Sequence, residues 1–373
     1  MSLKELERAF RRRYLSAGHR PFSGRLVTAP EDVLQLPPTA KLLFLRQDRL
    51  GDLIISVPLI RAIRRRLPRA RMDLLLSRNN YAGRHAMDGL IDHVWRYNKS
   101  LPSAVGLFRS IRSQRYDVIV DLFDNPSATS QMVVRWGRGR EALGILHKRS
   151  GYYTVGVPLL DRSRVHVVDR IAQLMLPFGI DPAREPMDLE YPLSDADIAL
   201  AKSRIPPAIQ PRRFGINISG SSHTKDWGVE NFIAAIRHLQ ATRPDFAITV
   251  SGAPHAGDEV KAIAEATGVH ALGPVASFHE YAAVIHEFDA MLTPDTSILH
   301  LAAAWKIPTV ELFHQWEPDN IPWYPYRTPN RGLFHRDFVS MIPRADVLAA
   351  LDDLLSEQFP TGAAAPRSAP PPP

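Results

Sequence analysis

The sequence predicts an α/β protein made of two Rossmann-like domains. Its 373 residues are enough for one large or two medium domains. From Lys41 onward, short apolar runs typical of buried strands alternate with segments of helical periodicity, and a stretch with several prolines interrupts this alternation. The predicted parts are a basic extension (1–37), a first domain (38–180), a linker (181–212), a second domain (213–343), a helix (344–359) and a disordered tail (360–373).

The composition excludes several classes of protein. The chain has no cysteine, so disulfides and thiolate metal sites are excluded. No run of about 18 apolar residues is present, and the N-terminus lacks the apolar segment of a signal peptide. No DxD motif or histidine–carboxylate cluster with ligand spacing stands out, so neither a metal nor a cofactor is predicted. We therefore expect a soluble cytoplasmic protein.

Charge is distributed unevenly along the chain. Residues 1–176 contain 31 Lys and Arg against 15 Asp and Glu, a net charge of +16. Residues 177–373 contain 15 against 24, a net charge of −9. This asymmetry indicates either an anionic partner of the first half, such as a membrane surface or nucleic acid, or only a well-solvated basic face. Residues 1–25 have the pattern of a basic amphipathic helix, which could lie on the inner membrane or dock on the domain.

The first domain opens with KLLFLRQDRLGD at Lys41–Asp52, a short buried strand followed by a polar turn. Only Gly51 is present where a dinucleotide site needs three glycines, so a nicotinamide enzyme is disfavoured. Asp52 follows the carboxyl end of the strand, the edge at which open α/β sheets bind ligands. A helix is predicted over Leu53–Leu67. Its unbalanced arginines favour an anionic ligand over a merely solvated face, and they are Arg61, Arg64, Arg65 and Arg66.

The second domain contains a strand–turn–helix pattern around FGINISGSSHTK. Gly220, Ser221 and Ser222 leave backbone amides open, and Lys225 follows in the same loop. A lysine beside open amides predicts a clamp for a diphosphate, although a surface lysine in a loop is the commoner case. Glu259, beyond the next predicted strand, is a candidate for holding a ribose hydroxyl pair.

A second anion site is predicted in MLTPDTSILHLAAAWKIPTVELF, residues 291–313. Asp295 occupies the expected N-cap of a small-residue helix, and Thr296 and Ser297 fall in its first turn. Backbone N–H groups at the positive end of a helix favour phosphate, and His300, one turn further, could add a third donor. The alternative is a βαβ unit in which the aspartate only caps a helix.

Three separated stretches resemble the heptosyltransferases of glycosyltransferase family 9. They are RxDRLGDxxxxxP at Arg46–Pro58, NxSGSSxxKxW at Asn217–Trp227 and DTSxxHxAAA at Asp295–Ala304. YDVIVDL at Tyr116–Leu122 and the last helix also look similar, so the resemblance spans about residues 40–357. It implies a GT-B fold, with two Rossmann-like domains facing across a cleft. It also implies metal-independent, inverting transfer, usually from ADP-heptose to a lipopolysaccharide core acceptor.

The resemblance also implies roles for individual residues. Asp52 matches the general base, and Lys225 matches the residue that holds the donor phosphate. The donor-binding candidates are Ser221, Ser222, Lys225, Glu259, Asp295, Thr296, Ser297 and His300. The acceptor-binding candidates are Arg49, Arg61, Arg64 and Arg65. The sequence departs from the family pattern at three positions near the donor: Ser297 and His314 replace the usual glycines, and Gly228 replaces a frequent proline.

Two other functions stay open at this point. The protein could bind a sugar nucleotide without catalysis, or it could use a different nucleoside-diphosphate sugar and acceptor. Nucleic acid is not predicted as a partner, because the arginine-rich helix lacks interleaved aromatic residues. The predicted partners are a nucleotide-sugar donor and an anionic glycolipid or glycan acceptor, with possible peripheral contact with the inner membrane.

Overall fold

The computed structural model describes residues 21–98, 101–125, 127–147, 150–207, 209–314, 320–321 and 323–360. The chain divides into two compact units, with the boundary between Met187 and Asp188. The predicted basic helix in residues 1–20 and most of the predicted tail lie outside the described residues.

The first unit is built on a seven-stranded sheet with the order β1-β7-β6-β5-β2-β3-β4, and all of its described pairings are parallel. Its strands are β1 (Arg25–Leu26), β2 (Lys41–Leu45), β3 (Arg71–Ser77), β4 (His93–Tyr97), β5 (Val118–Asp121), β6 (Glu141–Ile145) and β7 (Val155–Val157). The central strands are apolar and buried along most of their length, as expected for a parallel sheet covered on both faces.

In the part of this unit that the structure describes, five α-helices accompany the sheet. They are α1 (Leu50–Ile54), α2 (Val57–Arg66), α3 (Leu101–Ser113), α4 (Ala128–Gly137) and α5 (Val167–Ala172), with 3₁₀ segments at Tyr81–Met87 and Gln173–Phe178. The helix predicted over Leu53–Leu67 is therefore divided into two, with Ile55 and Ser56 between them. The Ser56 hydroxyl donates to the carbonyl of Asp52 at this break. Helix α2 ends at the expected place, because Pro68 disfavours helical geometry at Leu67.

The second unit contains a six-stranded parallel sheet with the order β10-β9-β8-β11-β12-β13. Its strands are β8 (Arg212–Asn217), β9 (Phe246–Ser251), β10 (His270–Ala271), β11 (Ala290–Pro294), β12 (Thr309–His314) and β13 (Asn330–His335). Its α-helices are α6 (Asp195–Arg204), α7 (Val229–Thr242), α8 (Gly257–Thr267), α9 (Phe278–His286), α10 (Ser297–Ala304) and α11 (Arg344–Gln358). Short 3₁₀ turns lie at His223–Lys225, Pro254–Ala256 and Val339–Met341.

Two predicted boundaries differ from the structure. Arg25 and Leu26, placed in the N-terminal extension, pair with β7 and so belong to the first sheet. The predicted linker contains α6, which packs on α9, where Arg204 pairs with Glu280 and His279 with Asp197. The prolines around α6 suggested an irregular crossing, whereas Ser194 caps the helix by accepting the N–H of Asp197.

Each unit has an apolar core. In the first, α3 and α4 pack on one face of the sheet through Phe108, Ile111 and Val133. In the second, α7 and α11 cover β8 and β12, and the buried Trp227 donates from its indole N–H to the carbonyl of Ile342. None of the helices in the described residues is both long and apolar enough to span a bilayer.

Candidate functional site

Asp52 lies inside a helix rather than in the turn that the sequence predicts. It is the third residue of α1, close after the carboxyl end of β2, and it is only 6% exposed. The backbone N–H of Arg49, the N-cap, donates to Asp52 Oδ2 at 3.1 Å. The carboxylate thus satisfies a donor at the start of α1, where negative charge is favourable. The side chain of Arg49, at the start of α1, is exposed to solvent.

Arg46 ties the carboxyl edge of the first sheet together. Its guanidinium is buried and donates to the carbonyls of Asp52 at 2.8 Å and Leu122 at 2.7 Å. It also lies 3.6 Å from Asp52 Oδ1 and 3.4 Å from Asp48 Oδ2. A buried arginine with these four contacts fixes the ends of β2 and β5 and supplies the positive charge that the neighbouring carboxylates need.

The acids around Arg46 hold their protons more tightly than free carboxyls do. Burial raises the pKa of Asp52, opposed by Arg46 and by the Arg49 N–H. Burial raises the pKa of Asp48 to about 7, also against Arg46 and with the Asp52 charge adding to the rise. Burial likewise raises the pKa of Asp121 to about 6, although the Tyr153 hydroxyl donates to it at 2.8 Å. Such a carboxyl can accept a proton near neutral pH, which suits a general base.

The three predicted acceptor arginines of α2 contact groups of their own unit. Arg64 donates to the carbonyls of Leu90 and Ala70 and pairs with Asp92 at 2.8 Å. Arg65 pairs with Glu185, and Arg61 donates to the carbonyl of Pro186 at 2.5 Å. Arg64 and Arg65 lie in the last turn of α2, about 10 Å along the axis from its start. Their role in acceptor binding stays a prediction.

In the second unit, the structure brings Lys225 and Asp295 together. The Lys225 ammonium donates to the carbonyl of Asp295 at 3.0 Å and forms an ion pair with its carboxylate. Both side chains are largely buried, at 12% and 27% exposure. The two loops that the sequence singled out, after β8 and after β11, are therefore joined directly at the carboxyl edge of the second sheet.

The loop that carries Lys225 is compact. Gly220 packs so closely on Lys225 that an added Cβ would lie 2.4 Å from the lysine Cβ, so a side chain at this position would displace the loop. Ser221 and Ser222 are exposed, and the Ser222 carbonyl accepts the N–H of Lys225. Gly228, which replaces a frequent proline of the family, is the N-cap of α7 with φ = 93°, a conformation that favours glycine.

Thr296, and not Asp295, is the N-cap of α10. Its hydroxyl accepts the N–H of Ile298 at 3.3 Å, so the cap falls one residue later than predicted, and Asp295 is left to pair with Lys225. Ser297 is the first helical residue and is not among the described residues with positive φ, so replacing the family glycine carries no backbone strain there. His300 is buried at 3% exposure, with its ring 6.3 Å from that of Trp323.

Glu259 lies in the first turn of α8 and is exposed. The loop after β9 that precedes this helix is joined to the loop after β8, because the Ser219 hydroxyl accepts the N–H of Ala253 at 2.8 Å. Glu259 thus follows a loop that contacts the Lys225 loop, and its predicted role toward a ribose stays a prediction.

A row of buried polar side chains crosses the second sheet beneath these loops. Asn217 donates to the Thr293 hydroxyl at 2.9 Å, and Ser251 bonds to the Tyr281 hydroxyl at 2.7 Å. The backbone register places Ser251 beside Asn217 and Glu311 beside Thr293. Burial raises the pKa of Glu311 well above its usual value, and neither of its carboxyl oxygens has a hydrogen-bond partner among the described residues. Burial thus favours the neutral form of Glu311 in the middle of the sheet.

The sequence analysis did not single out Arg46, Asp48, Asp121 or Glu311 as site residues. The available signal was their position: charged residues in or directly after otherwise apolar strands are costly to bury without a reason. Arg46 and Asp48 lie within the family motif RxDRLGDxxxxxP, and Asp121 is the last residue of the strand YDVIVD.

The sequence profile of glycosyltransferase family 9 (heptosyltransferase) matches residues 104–337. The chain belongs to this family. It is therefore a glycosyltransferase, as the sequence predicted. Two curated relatives, both named lipopolysaccharide heptosyltransferase 3, come from Escherichia coli and from its strain K12. The first is 23% identical over 82% of this chain and 96% of its own length, and the second is 22% identical over 83% and 97%.

Solved structures confirm the fold of this family 9 enzyme. A family 9 glycosyltransferase from Veillonella parvula superimposes with a TM-score of 0.73 at 17% identity, over 87% of this chain and 99% of its own. The E. coli ADP-heptose lipopolysaccharide heptosyltransferase II gives a TM-score of 0.66 at 19% identity, over 85% and 99%. E. coli heptosyltransferase WaaC, solved with ADP, gives 0.66 at 16% identity, over 84% and 99%. The predicted GT-B type of α/β fold is thus confirmed.

Proposed function

We propose that this protein transfers a heptose from ADP-heptose to a lipopolysaccharide-core acceptor, with inversion and with Asp52 as the general base. The curated relatives are named lipopolysaccharide heptosyltransferases, and related structures were solved with ADP or with an ADP-heptose analogue. The observation that carries the proposal is the buried carboxylate of Asp52 at the carboxyl edge of the first sheet, with a pKa raised by burial.

The proposed reaction needs one proton acceptor. An acceptor hydroxyl attacks the anomeric carbon of the donor from the side opposite the leaving group, a new C–O bond forms, and the hydroxyl proton passes to Asp52. The bond between the anomeric carbon and the diphosphate breaks, and the nucleoside diphosphate leaves with the electron pair. Arg46 keeps the Asp52 carboxylate oriented between transfers, since it holds both the backbone and the carboxylate of this residue.

The leaving diphosphate gains negative charge that must be stabilised. Lys225 is the proposed cation, because it lies beside the loop that leads into α10 and contacts Asp295 at its start. The N–H and the hydroxyl of Ser297, the first residue of α10, add uncharged donors at the positive end of the helix. In this proposal Ser221, Ser222, Thr296 and His300 complete the donor contacts, Glu259 holds the ribose, and Arg49, which is exposed beside Asp52, contacts the acceptor.

The substrate assignment is tested by product analysis. The purified enzyme is incubated with ADP-heptose, ADP-glucose, UDP-glucose or GDP-mannose, each with extracted lipopolysaccharide core, and the products are measured by mass spectrometry and by NMR of the new anomeric centre. The proposal predicts a heptose increment with ADP-heptose and an inverted anomeric configuration. Transfer of a different sugar, transfer with retention, or no transfer from ADP-heptose would contradict it.

A further inference from the structure

A cluster of exposed arginines lies on the first unit, at the edge of the sheet opposite Asp52. Helices α3 and α4 pack on the same face of the sheet and both end at the amino edge, next to the starts of β5 and β6. We call this cluster the α3–α4 basic patch, and its cations are Arg109, Arg112, Arg115, Arg135, Arg138 and Arg140.

Contacts between the two helix ends make the patch continuous. An added Cβ at Gly137 would lie 3.2 Å from a methyl of Ile111, so glycine lets the last turns of α3 and α4 approach closely. The N–H of Arg140 donates to the carbonyl of Tyr116 at 3.1 Å, which joins the segments that enter β6 and β5. The arginines of both segments therefore belong to one surface.

Little negative charge compensates this patch. Asp117 pairs with Arg140 at 3.4 Å, and Glu141 accepts a hydrogen bond from the Thr154 hydroxyl. The ion pairs found in the described residues involve none of Arg109, Arg112, Arg115 and Arg138. Six arginines against two acids leave an excess of four positive charges, all on side chains that are exposed to solvent.

Ordinary helix energetics explain only part of the cluster. Arg112 and Arg135 lie in the last turns of their helices, where the helix dipole favours a cation. Arg115 and Arg138 lie beyond the helices with φ of 54° and 49°, in the left-handed region where glycine or asparagine is normally found. Arginine at these two positions is unfavourable for the backbone and adds two cations to the patch.

An exposed tryptophan lies among these cations. Trp136 is 56% exposed, and Arg135 and Arg138 flank it at the end of α4. Val105, which is 47% exposed, precedes Arg109 by one turn on the outer face of α3. Tryptophan and arginine together are typical of surfaces that rest at the headgroup level of a bilayer. A binding site for single-stranded nucleic acid would instead contain several aromatic side chains along a groove, on which successive bases stack.

We propose that the α3–α4 basic patch docks the enzyme on a membrane surface that carries anionic phospholipids, with Trp136 inserted at the headgroup level. The patch lies at the amino ends of β5 and β6, and the four residues of β5 separate it by about 13 Å from the carboxyl edge. Docking thus leaves Asp52 uncovered. The inference does not depend on which sugar is transferred, and its test requires no turnover.

The test is flotation of the full-length protein with lipid vesicles. Vesicles of phosphatidylcholine with about one-third phosphatidylglycerol are compared with pure phosphatidylcholine, at about 0.1 M salt. In the test variant, Arg109→Gln and Arg112→Gln are combined with Arg115→Asn and Arg138→Asn, because asparagine tolerates positive φ. Each arginine near an anionic surface contributes about fivefold to binding, so the variant should bind several hundredfold more weakly. Trp136→Ser should weaken binding to both kinds of vesicle.

Two controls separate the patch from the overall charge. Replacing the exposed Arg66, Arg69, Arg164 and Arg184 by glutamine changes the net charge equally and should leave most binding intact. Replacing the four patch arginines by lysine should also preserve binding, because the membrane responds to charge. The inference is wrong if the wild type does not bind the anionic vesicles, if the patch variant floats like the wild type, or if both glutamine-containing variants lose binding equally. Binding to RNA without binding to vesicles would also overturn it.

Discussion

Replacing Glu311 by glutamine should change how the stability of the second unit depends on pH. Glu311 lies in β12 with no exposed surface, and neither carboxyl oxygen has a hydrogen-bond partner among the described residues. Arg331 favours the charged form, but burial outweighs it and raises the pKa well above the usual value. Glutamine has nearly the same shape and cannot ionise, so Glu311→Gln isolates the free energy of keeping this acid protonated.

The sign and size of the effect follow from proton linkage. Above about pH 4.5 the unfolded chain releases the Glu311 proton, whereas the folded protein keeps it up to its raised pKa. The folded state therefore binds more protons, and the unfolding free energy of the wild type falls as pH rises through this window. The loss is at most about 1.4 kcal/mol for each pH unit between the ordinary and the raised pKa, so the glutamine variant gains relative stability as pH rises through this window.

The measurement is urea unfolding at about pH 5, 6 and 7, followed by pulsed hydrogen exchange read in peptides of β12. Other titrating groups, Asp48 and Asp121 included, act alike in both proteins and cancel in the difference between them. The exposed Glu265→Gln serves as a control and should follow the wild type. If the difference in unfolding free energy between the wild type and Glu311→Gln stays constant across this pH range, Glu311 is not buried as an unpaired acid.

Three further predictions concern the site. Lys225→Ala should weaken ADP binding, measured by calorimetry, by roughly 10- to 150-fold, the effect of losing one charge-assisted hydrogen bond. The control Lys261→Ala, at an exposed position, should bind ADP like the wild type. If Lys225→Ala also binds ADP as tightly as the wild type, Lys225 has only a structural role in its loop. Burial raises the pKa of Asp52, and it raises the pKa of Asp48 beside it to about 7. The transfer rate should therefore fall as pH decreases below neutrality. Asp48→Asn should move this limb to lower pH by removing a coupled carboxyl; a profile that coincides with the wild type would show that the two do not titrate together. Replacing Arg61, Arg64 and Arg65 together by glutamine should raise the acceptor KM and flatten its dependence on salt concentration. The double variant Arg66→Gln/Arg69→Gln serves as the control. A rise in the donor KM instead would mean that the predicted assignment of donor and acceptor to the two halves is wrong.

The sequence predicted the fold because its signals are local. Buried strands such as KLLFL and the small-residue helix α10 carry their pattern within a few residues, and both form where expected. The exact ends of helices depend on which neighbouring residue caps them, and the sequence pattern does not show this. Thr296 caps α10, while Asp295 pairs with Lys225, 70 residues earlier in the chain.

Contacts between distant segments explain why part of the site was missed. The pKa of Asp48 depends on burial beside Arg46 and Asp52, and that of Asp121 depends on burial beside Tyr153. Neither the burial nor these neighbours follow from residue type and spacing. The arginine run of α2 predicts an anionic ligand, and this stays a prediction. The ion pairs of Arg64 with Asp92 and of Arg65 with Glu185 could not be foreseen, because their partners are distant in the sequence.

The central claim is that Asp52 accepts the proton during transfer, and Asp52→Asn tests it most directly. Asparagine keeps an oxygen that can accept the Arg49 N–H, so the start of α1 should be preserved. The single-turnover rate of heptose transfer is measured with saturating donor and acceptor, alongside the Kd for ADP. We predict a rate about 10²–10⁴-fold lower with an unchanged Kd, because the donor candidates Lys225 and Asp295 belong to the other unit. A rate near that of the wild type would contradict the assignment of Asp52 as the base.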